Sequence, residues 1–150
     1  MSEVRKPADD EKCEVCDRWK NRPLTVNALV IRDNKLLLIL RSATPFKGMW
    51  ALPGGHVNFG ETLIEAVARE LLEETRLVLL SARLVDIADN PDRSPDQKIA
   101  LNYIVTAEGE PAANDDAKAY MWCDITDLPQ VLAFDHLRII EAALRYNDNI

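Results

Sequence analysis

The segment from residue 53 to residue 77 constrains this chain most, because it joins a glycine-rich bend to a glutamate-rich helix. Pro53-Gly54-Gly55 cannot continue a regular element, so we predict a bend there. From Thr62 to Thr75 there is no Gly or Pro, and Leu, Ala and Glu dominate, which predicts a helix. Thr62 and Glu65 have the spacing of a capping box at its start. The segment therefore predicts a loop that leads directly into an acidic helix.

Three glutamates share one narrow face of this predicted helix. At 100° per residue, Glu70, Glu73 and Glu74 lie close together, and Arg69 is the neighbouring cation that can compensate their repulsion. We expect the other side to contact the core through Ile64, Ala68, Leu71 and Leu72. One interpretation is a solvated acidic face. The other is an all-oxygen site for Mg²⁺ or Mn²⁺, which the preceding glycine-rich bend favours.

The remaining apolar runs predict a sheet and one more helix. We predict strands at residues 24–31, 35–40, 50–52, 77–80, 84–88, 99–107 and 120–123. Asp33-Asn34 suits a hairpin turn, and a last helix over 135–146 would bury Leu137, Ile140 and Leu144. This order predicts an α/β or α+β sandwich with a mixed β-sheet. We interpret residues 1–23 as an N-terminal arm and 24–150 as the domain.

The charge balance excludes whole classes of partner. The chain has 150 residues, which suits one domain, and 25 acidic against 18 basic residues give a net charge of −7. Nucleic acid is therefore not an expected partner, and a small anionic ligand would need a local cation. The longest strongly apolar run, residues 36–40, is too short to span a membrane. Three cysteines and no export signal predict a reducing, cytoplasmic location.

Read as letters, the segment resembles the Nudix box, G-x5-E-x7-R-E-U-x-E-E-x-G-U, where U is aliphatic. Gly55, Glu61, Arg69 and the run from Glu70 to Leu77 agree with every fixed position except the last glycine, which is Arg76 here. The resemblance extends from about residue 23 to residue 144. A glycine at position 76 would supply a left-handed helix end, so Arg76 predicts an altered loop rather than lost catalysis.

This resemblance implies an α/β/α sandwich that hydrolyses a nucleoside diphosphate linked to another group X. It implies that Glu70, Glu73 and Glu74 bind Mg²⁺ or Mn²⁺, with Glu61 as an outer or additional ligand. It further implies that Arg69 orients the glutamates and that Gly54 or Gly55 offers a backbone carbonyl to the metal. The metal would polarise the phosphoryl oxygens and orient a water molecule.

Three shorter patterns resemble the ADP-ribose pyrophosphatase branch of the family: residues 22–28, Asp115-Asp116-Ala117 and Ala133-Phe134-Asp135-His136. This branch usually has a glutamate shortly after the Asp-Asp-Ala segment, where this chain has Lys118-Ala119. An extra acidic group could then come from Glu108, Glu110, Asp115 or Asp116, unless these form a solvated loop. We therefore expect a nucleotide-sugar substrate, ADP-ribose first, and a possible homodimer. The alternatives are an oxidised nucleoside triphosphate and a non-hydrolytic ADP-ribose sensor.

Candidate substrate contacts lie outside the box. Arg41 and Lys47 could hold phosphate or ribose oxygens, or could be surface charges. The residues that could stack on a base or instead pack in the core are Phe46, Tyr103 and Phe134. His136 could cap the last helix or contact substrate.

Cys13 and Cys16 form half of a zinc site. Completing it would need Cys123, a histidine or another subunit.

Overall fold

The computed structural model describes residues 21–112 and 117–148, apart from the side chains of 118 and 148. Within this part of the chain there are seven strands and two α-helices. The strands are β1 (Leu24–Arg32), β2 (Lys35–Arg41), β3 (Trp50–Ala51), β4 (Gly54–His56), β5 (Val78–Ala88), β6 (Ile99–Glu108) and β7 (Ala117–Asp124). The helices are α1 (Leu63–Thr75) and α2 (His136–Asp148).

The strands form one mixed sheet in the order β3-β2-β1-β6-β5, with β4 paired to β1 and β7 paired to β2. Only the β1–β6 pair is parallel among the described strands. After the predicted hairpin at Asp33-Asn34, β2 pairs with only the end of β1. β4 takes its place beside the first half of β1. The two strands thus diverge, and β4 brings the glycine pair to the edge of β1.

Both faces of the sheet are covered by a helix, as the predicted sandwich requires. Alternate residues of a strand point to opposite faces. Val26, Ala28 and Val30 of β1 accordingly pack in a cluster with Ala66, Val67 and Leu71 of α1. Leu29 packs on the other face with α2 residues Ile139, Ile140 and Ala143. The α/β/α sandwich with a mixed sheet is confirmed.

Helix α1 begins and ends where its sequence predicts, but it buries a different face. Thr62 is the N-cap, and its side chain accepts a hydrogen bond from the Glu65 amide. Ile64 and Leu72 were expected in the core and are instead about half exposed. The buried face carries Ala66, Val67 and Leu71 together with Glu74. The glutamate face and the core face therefore overlap, because the sheet supplies polar partners for an inward-facing carboxylate.

Three other expectations need correction. The glycine pair lies in strand β4 rather than in a bend, because its backbone pairs with Val26 and Asn27 of β1. Residues 77–80 and 84–88 belong to one long strand, β5, whose pairing with β6 shifts twice. In α2, Ile140 is fully buried as predicted, together with Ile139 and Ala143, whereas Leu137 and Leu144 are only partly buried. Between β5 and β6, Pro91–Arg93 form a 3-10 turn.

Candidate active site

Arg69 binds several acidic groups on and before helix α1. Its guanidinium donates to both carboxylate oxygens of Glu61, at 2.7 and 3.0 Å, and to Glu70 Oε1 at 2.8 Å. It also donates to Glu73 at 3.3 Å and to the His56 carbonyl at 2.8 Å. The Arg69 guanidinium, together with the Asn58 amide, lowers the pKa of Glu61 to about 2. Arg69 thus ties the loop before α1 to the glutamates.

Glu74 and Glu70 are the two box glutamates that face inward. Glu74 is 7% exposed, and its Oε1 accepts a hydrogen bond from the Gly54 amide at 2.8 Å. Glu70 is packed against Gly55, where a Cβ would overlap its carboxylate. Burial raises the pKa of Glu70, and its hydrogen bond with Arg69 opposes that shift. Gly55 is therefore needed because the Glu70 carboxylate lies where a Cβ would be, and Gly54 because the backbone of β1 lies there.

The three glutamates predicted to bind the metal do not all reach the same cavity. Glu70 and Glu74 line one cavity, together with Gly54 and Gly55. Glu73 has a side chain 46% exposed, contacts Arg69, and is absent from the cavity walls that the structure describes. Among the described residues, no three His, Cys, Asp or Glu side chains converge on one point. Two inward carboxylates beside backbone oxygens still form the hard-oxygen environment that suits Mg²⁺ or Mn²⁺.

The cavity also contains three cationic side chains. It has a volume of about 390 Å³, and Arg41, Arg93 and Lys98 lie on its walls. Arg93 is almost fully buried and pairs with Asp135 at 2.8 Å, while Lys98 pairs with Asp96 at 2.6 Å. Arg93 and Lys98 were not predicted as site residues from the sequence. Both lie in or next to a turn-rich loop, where no local pattern separates a cavity residue from a surface charge.

Aromatic residues lie at one side of the cavity. Phe134 lines it, and Phe46 stacks on Phe134 with ring centroids 4.6 Å apart. The Arg41 guanidinium lies 5.2 Å from the Phe134 ring, and its Nε donates to the Pro45 carbonyl at 2.9 Å. Phe46 and Lys47 are not among the described cavity-lining residues. Of the predicted substrate contacts, Arg41 and Phe134 lie together on the cavity wall, and the Phe46 ring packs against Phe134 at a tilted angle.

Tyr103 packs in the core beside α1, as the alternative to base stacking predicted.

His136 is a buried structural histidine at the wall of the cavity. Its Nδ1 accepts a hydrogen bond from the Leu52 amide at 3.0 Å. Burial lowers its pKa to about 3, with nearby Arg93 and Arg41 acting in the same direction. A neutral His136 therefore connects the start of α2 to the strand region before the glycine pair.

The altered loop expected at Arg76 is not found, because Arg76 ends helix α1 in the same left-handed conformation that a glycine would supply. Its φ is 64°, and its amide donates to the Leu72 carbonyl at 3.0 Å. The helix remains regular up to Thr75. The departure from glycine is thus accommodated as backbone strain, with the helix end intact.

Several predicted positions lie outside this cavity or outside the described residues. Cys13, Cys16, Asp115 and Asp116 lie outside the described residues. Glu108 ends β6 opposite Val78, and neither it nor Glu110 is a described wall residue of the cavity. Cys123 is buried in the core beside α2. No helix in the described part of the chain has the length and apolar character to span a membrane.

Comparison with known proteins agrees with this architecture. The NUDIX domain family model matches residues 21–143. An ADP-ribose pyrophosphatase of Methanocaldococcus jannaschii is 43% identical over 127 residues, covering 83% of this chain and 75% of that protein. Two further curated relatives are longer, and the chain spans 39% and 41% of them.

Solved structures share the fold. The NUDIX domain of Shewanella oneidensis NrtR, complexed with ADP ribose, has a TM-score of 0.76 at 31% identity, over 85% of this chain and 89% of that one. A bifunctional NMN adenylyltransferase/ADP ribose pyrophosphatase of Francisella tularensis, with AMP and a Mn ion, has a TM-score of 0.74 at 33% identity. The alignment covers 83% of this chain and 42% of that one. With the box, the sandwich and these matches in agreement, the chain belongs to the Nudix hydrolase family.

Proposed function

We propose that this protein hydrolyses the pyrophosphate bond of a nucleoside diphosphate linked to X, with ADP-ribose as the preferred substrate and Mg²⁺ or Mn²⁺ as cofactor. The products are AMP and ribose 5-phosphate. The observation that carries the proposal is one cavity with Glu70 and Glu74 on its walls together with Arg41, Arg93 and Lys98. The ADP-ribose pyrophosphatase relative and the ADP-ribose-bound neighbour support the choice of substrate.

The charges of the cavity favour a cation-dependent reaction. Arg93 and Lys98 are already paired with Asp135 and Asp96, so little of their charge is left to neutralise an entering pyrophosphate. Glu70 and Glu74 add negative charge to the same cavity. A pyrophosphate placed there would need a divalent cation, held by these carboxylates, to offset the repulsion between the two sets of negative charge. Such a cation would supply the local positive charge that a protein of net charge −7 needs to bind an anionic ligand.

Glu70 and Glu74 would hold the metal, with a backbone carbonyl of Gly54 or Gly55 and with Glu73 after a side-chain rotation. A bound Mg²⁺ polarises phosphoryl oxygens and supplies an oriented water. Arg69 keeps Glu70 and Glu61 in place through charge-assisted hydrogen bonds. Glu61, with both oxygens on Arg69, acts as a support for the loop. In the reaction one water adds across the P–O–P link, and each phosphorus ends as a phosphomonoester.

Recognition of the base is assigned to the wall that carries Phe134. Phe134 offers an aromatic surface for a base or sugar, and its position is supported by Phe46 and Arg41. A second sugar beyond the pyrophosphate distinguishes ADP-ribose from a triphosphate. Pockets that hydrogen-bond such hydroxyl groups reject analogues without them.

A substrate panel tests this proposal. We expect kcat/KM with Mg²⁺ to be highest for ADP-ribose among ADP-ribose, NADH, diadenosine polyphosphates, ADP-glucose and 8-oxo-dGTP. Chromatography should identify AMP and ribose 5-phosphate, and chelation of the metal should abolish turnover. A tenfold preference for 8-oxo-dGTP would overturn the substrate assignment in favour of an oxidised triphosphate. Binding of ADP-ribose without any turnover would instead favour a sensor.

The homodimer and the cytoplasmic location are parts of the same proposal. Light scattering coupled to size-exclusion chromatography measures the first, and fractionation of the source cells measures the second.

A further inference from the structure

A row of polar side chains crosses three strands beside the cavity. In the strand register, Asn27 of β1 lies opposite Asn102 of β6, and Asn102 lies opposite Asp86 of β5. Asn27 Nδ2 donates to Asn102 Oδ1 at 2.8 Å, and Asn102 Nδ2 donates to Asp86 Oδ2 at 3.0 Å. Arg138 of α2 donates to the same Asp86 oxygen at 3.0 Å. The row therefore begins at a charged surface pair and ends at the cavity wall.

Asp86 sets the direction of the amides in this row, with a weaker contribution from the Ala100 carbonyl, which Asn102 Nδ2 contacts at 3.4 Å. An ionised carboxylate can only accept hydrogen bonds, so the Asn102 atom that faces Asp86 must be its NH2 group. The carbonyl oxygen of Asn102 consequently faces Asn27, and Asn27 must present its own NH2 to that oxygen. Asn27 Oδ1 is left pointing away from the row. Reversing any amide would bring two donors or two acceptors together.

The remaining oxygen of Asn27 lies against the cavity floor. A Cβ on Gly54 would approach Asn27 Oδ1, so this oxygen packs on the glycine whose amide binds Glu74. Asn27 is 6% exposed and lines the cavity. No described residue donates a hydrogen bond to its Oδ1. Among the described residues no buried side-chain oxygen lacks a partner, so Asn27 Oδ1 is open to the cavity and can accept a hydrogen bond from a ligand there.

We propose that Asn27 Oδ1 accepts a hydrogen bond from a ribose hydroxyl of the substrate, and that Asn102 and Asp86 are positioning residues that hold this oxygen toward the cavity. The inference rests on the proposed function, because it assigns a contact for the same substrate. A hydroxyl is the matching chemistry, since phosphate oxygens have no hydrogen to donate.

The test combines variants of the protein with analogues of ADP-ribose that each lack one ribose hydroxyl. Asn27→Ala should raise KM for ADP-ribose about tenfold, the size of one lost hydrogen bond, with a smaller change in kcat. For the deoxy analogue that lacks the hydroxyl bound by Asn27 Oδ1, wild type and Asn27→Ala should have the same KM, because neither protein can form that hydrogen bond. Additive effects for every analogue would overturn the assignment. A change in the Mg²⁺ concentration needed for half-maximal rate, in place of the KM effect, would also overturn it.

Asp86 offers a second route that does not alter the cavity wall. Asp86→Ala frees the Asn102 amide to turn over, and it should reduce discrimination between ADP-ribose and the deoxy analogue several-fold. Asp86→Asn retains a hydrogen-bond acceptor and should retain most of the discrimination between ADP-ribose and the deoxy analogue. The matched control is Ser81→Ala, which removes another β5 side chain bonded to β6, at Thr106, and should leave discrimination unchanged. Equal discrimination in Asp86→Ala and wild type would overturn the positioning role.

The wild-type measurements separate the two levels of the argument. An inactive wild type shows that the proposed function is wrong, and the inference falls with it. An active wild type whose KM and discrimination do not respond to Asn27→Ala and Asp86→Ala overturns the inference alone. Melting temperatures of all variants identify any that fail to fold, and the comparison then rests on Asp86→Asn and Asp86→Ala.

Discussion

Gly55 and Glu70 are in direct contact, so that a Cβ on Gly55 would overlap the Glu70 carboxylate. Gly55 belongs to β4, which pairs with β1, and Glu70 is in the middle of helix α1. The helix therefore lies against a strand backbone at the very point where it carries a carboxylate. Replacing this glycine tests the geometry of the site without removing any charged group.

Gly55→Ala should lower kcat at least about tenfold, because moving groups that orient a metal ligand commonly costs 10- to 100-fold. Steady-state kinetics with saturating Mg²⁺ measures the effect. Gly109→Ala is the control: its φ of 102° strains the backbone, but its nearest described side-chain neighbour is on Leu77, at 3.8 Å. It should lose stability and retain activity. Equal activity of the two variants would show that the Gly55 contact does not position Glu70.

Glu74→Gln should reduce turnover by about two orders of magnitude or more while the fold is retained. Glutamine keeps an oxygen to accept the Gly54 amide, so the change removes charge and not shape. Glu65→Gln, on the exposed first turn of the same helix, is the matched control and should be near wild type. Rates across a Mg²⁺ titration, with circular dichroism for the fold, check this. Near-full activity of Glu74→Gln would refute its role as a metal ligand.

Arg76→Gly should raise the free energy of unfolding by about 1 kcal/mol, because glycine adopts the left-handed helix end without a Cβ penalty. Arg76 has a φ of 64° and is exposed. Urea denaturation measures the change, and activity should stay within a few-fold. Arg76→Ala keeps the strain and should not stabilise the protein. A loss of stability in Arg76→Gly would reveal a specific contact of the arginine side chain.

The stability of the protein should depend on pH through His136. Burial lowers its folded pKa to about 3, below the unfolded value of about 6.5, so the unfolded state takes up the proton first. The contribution is complete above pH 6.5 and is lost as the pH falls toward 3. Between pH 7.5 and 5.5 the loss should be about 1 kcal/mol.

Urea denaturation at both pH values tests this with two variants. His136→Asn keeps an acceptor for the Leu52 amide and should lose the pH-dependent part attributed to the histidine. His56→Asn replaces the other histidine of the chain, which is exposed, and should behave as wild type. The same pH dependence in wild type and His136→Asn would contradict the assignment.

Local features of the sequence were sufficient for the elements that build the site. The α1 bounds followed from the Thr62 cap and the absence of Gly and Pro, whereas its left-handed end at Arg76 was expected to be altered and is not. The hairpin followed from Asp33-Asn34, both with positive φ. Each of these depends on interactions within a few residues. The buried face of α1 did not follow, because Glu74 faces inward only where Gly54 supplies a partner.

By itself the sequence determined the family, the sandwich, the acidic helix and the spacing of its glutamates, since a periodic pattern and a fixed motif express these locally. Only the tertiary structure decided which groups meet in the cavity. Arg93 meets Asp135 across 42 residues, and Asn27 meets Asn102 across 75. Neither pair has a local signal: the β1–β6 register brings the two asparagines together, and Arg93 and Asp135 come from the loop after β5 and the residue before α2. The glutamates of the box thus come from one segment of the sequence, whereas the other walls of the cavity come from elements that only the whole fold brings together.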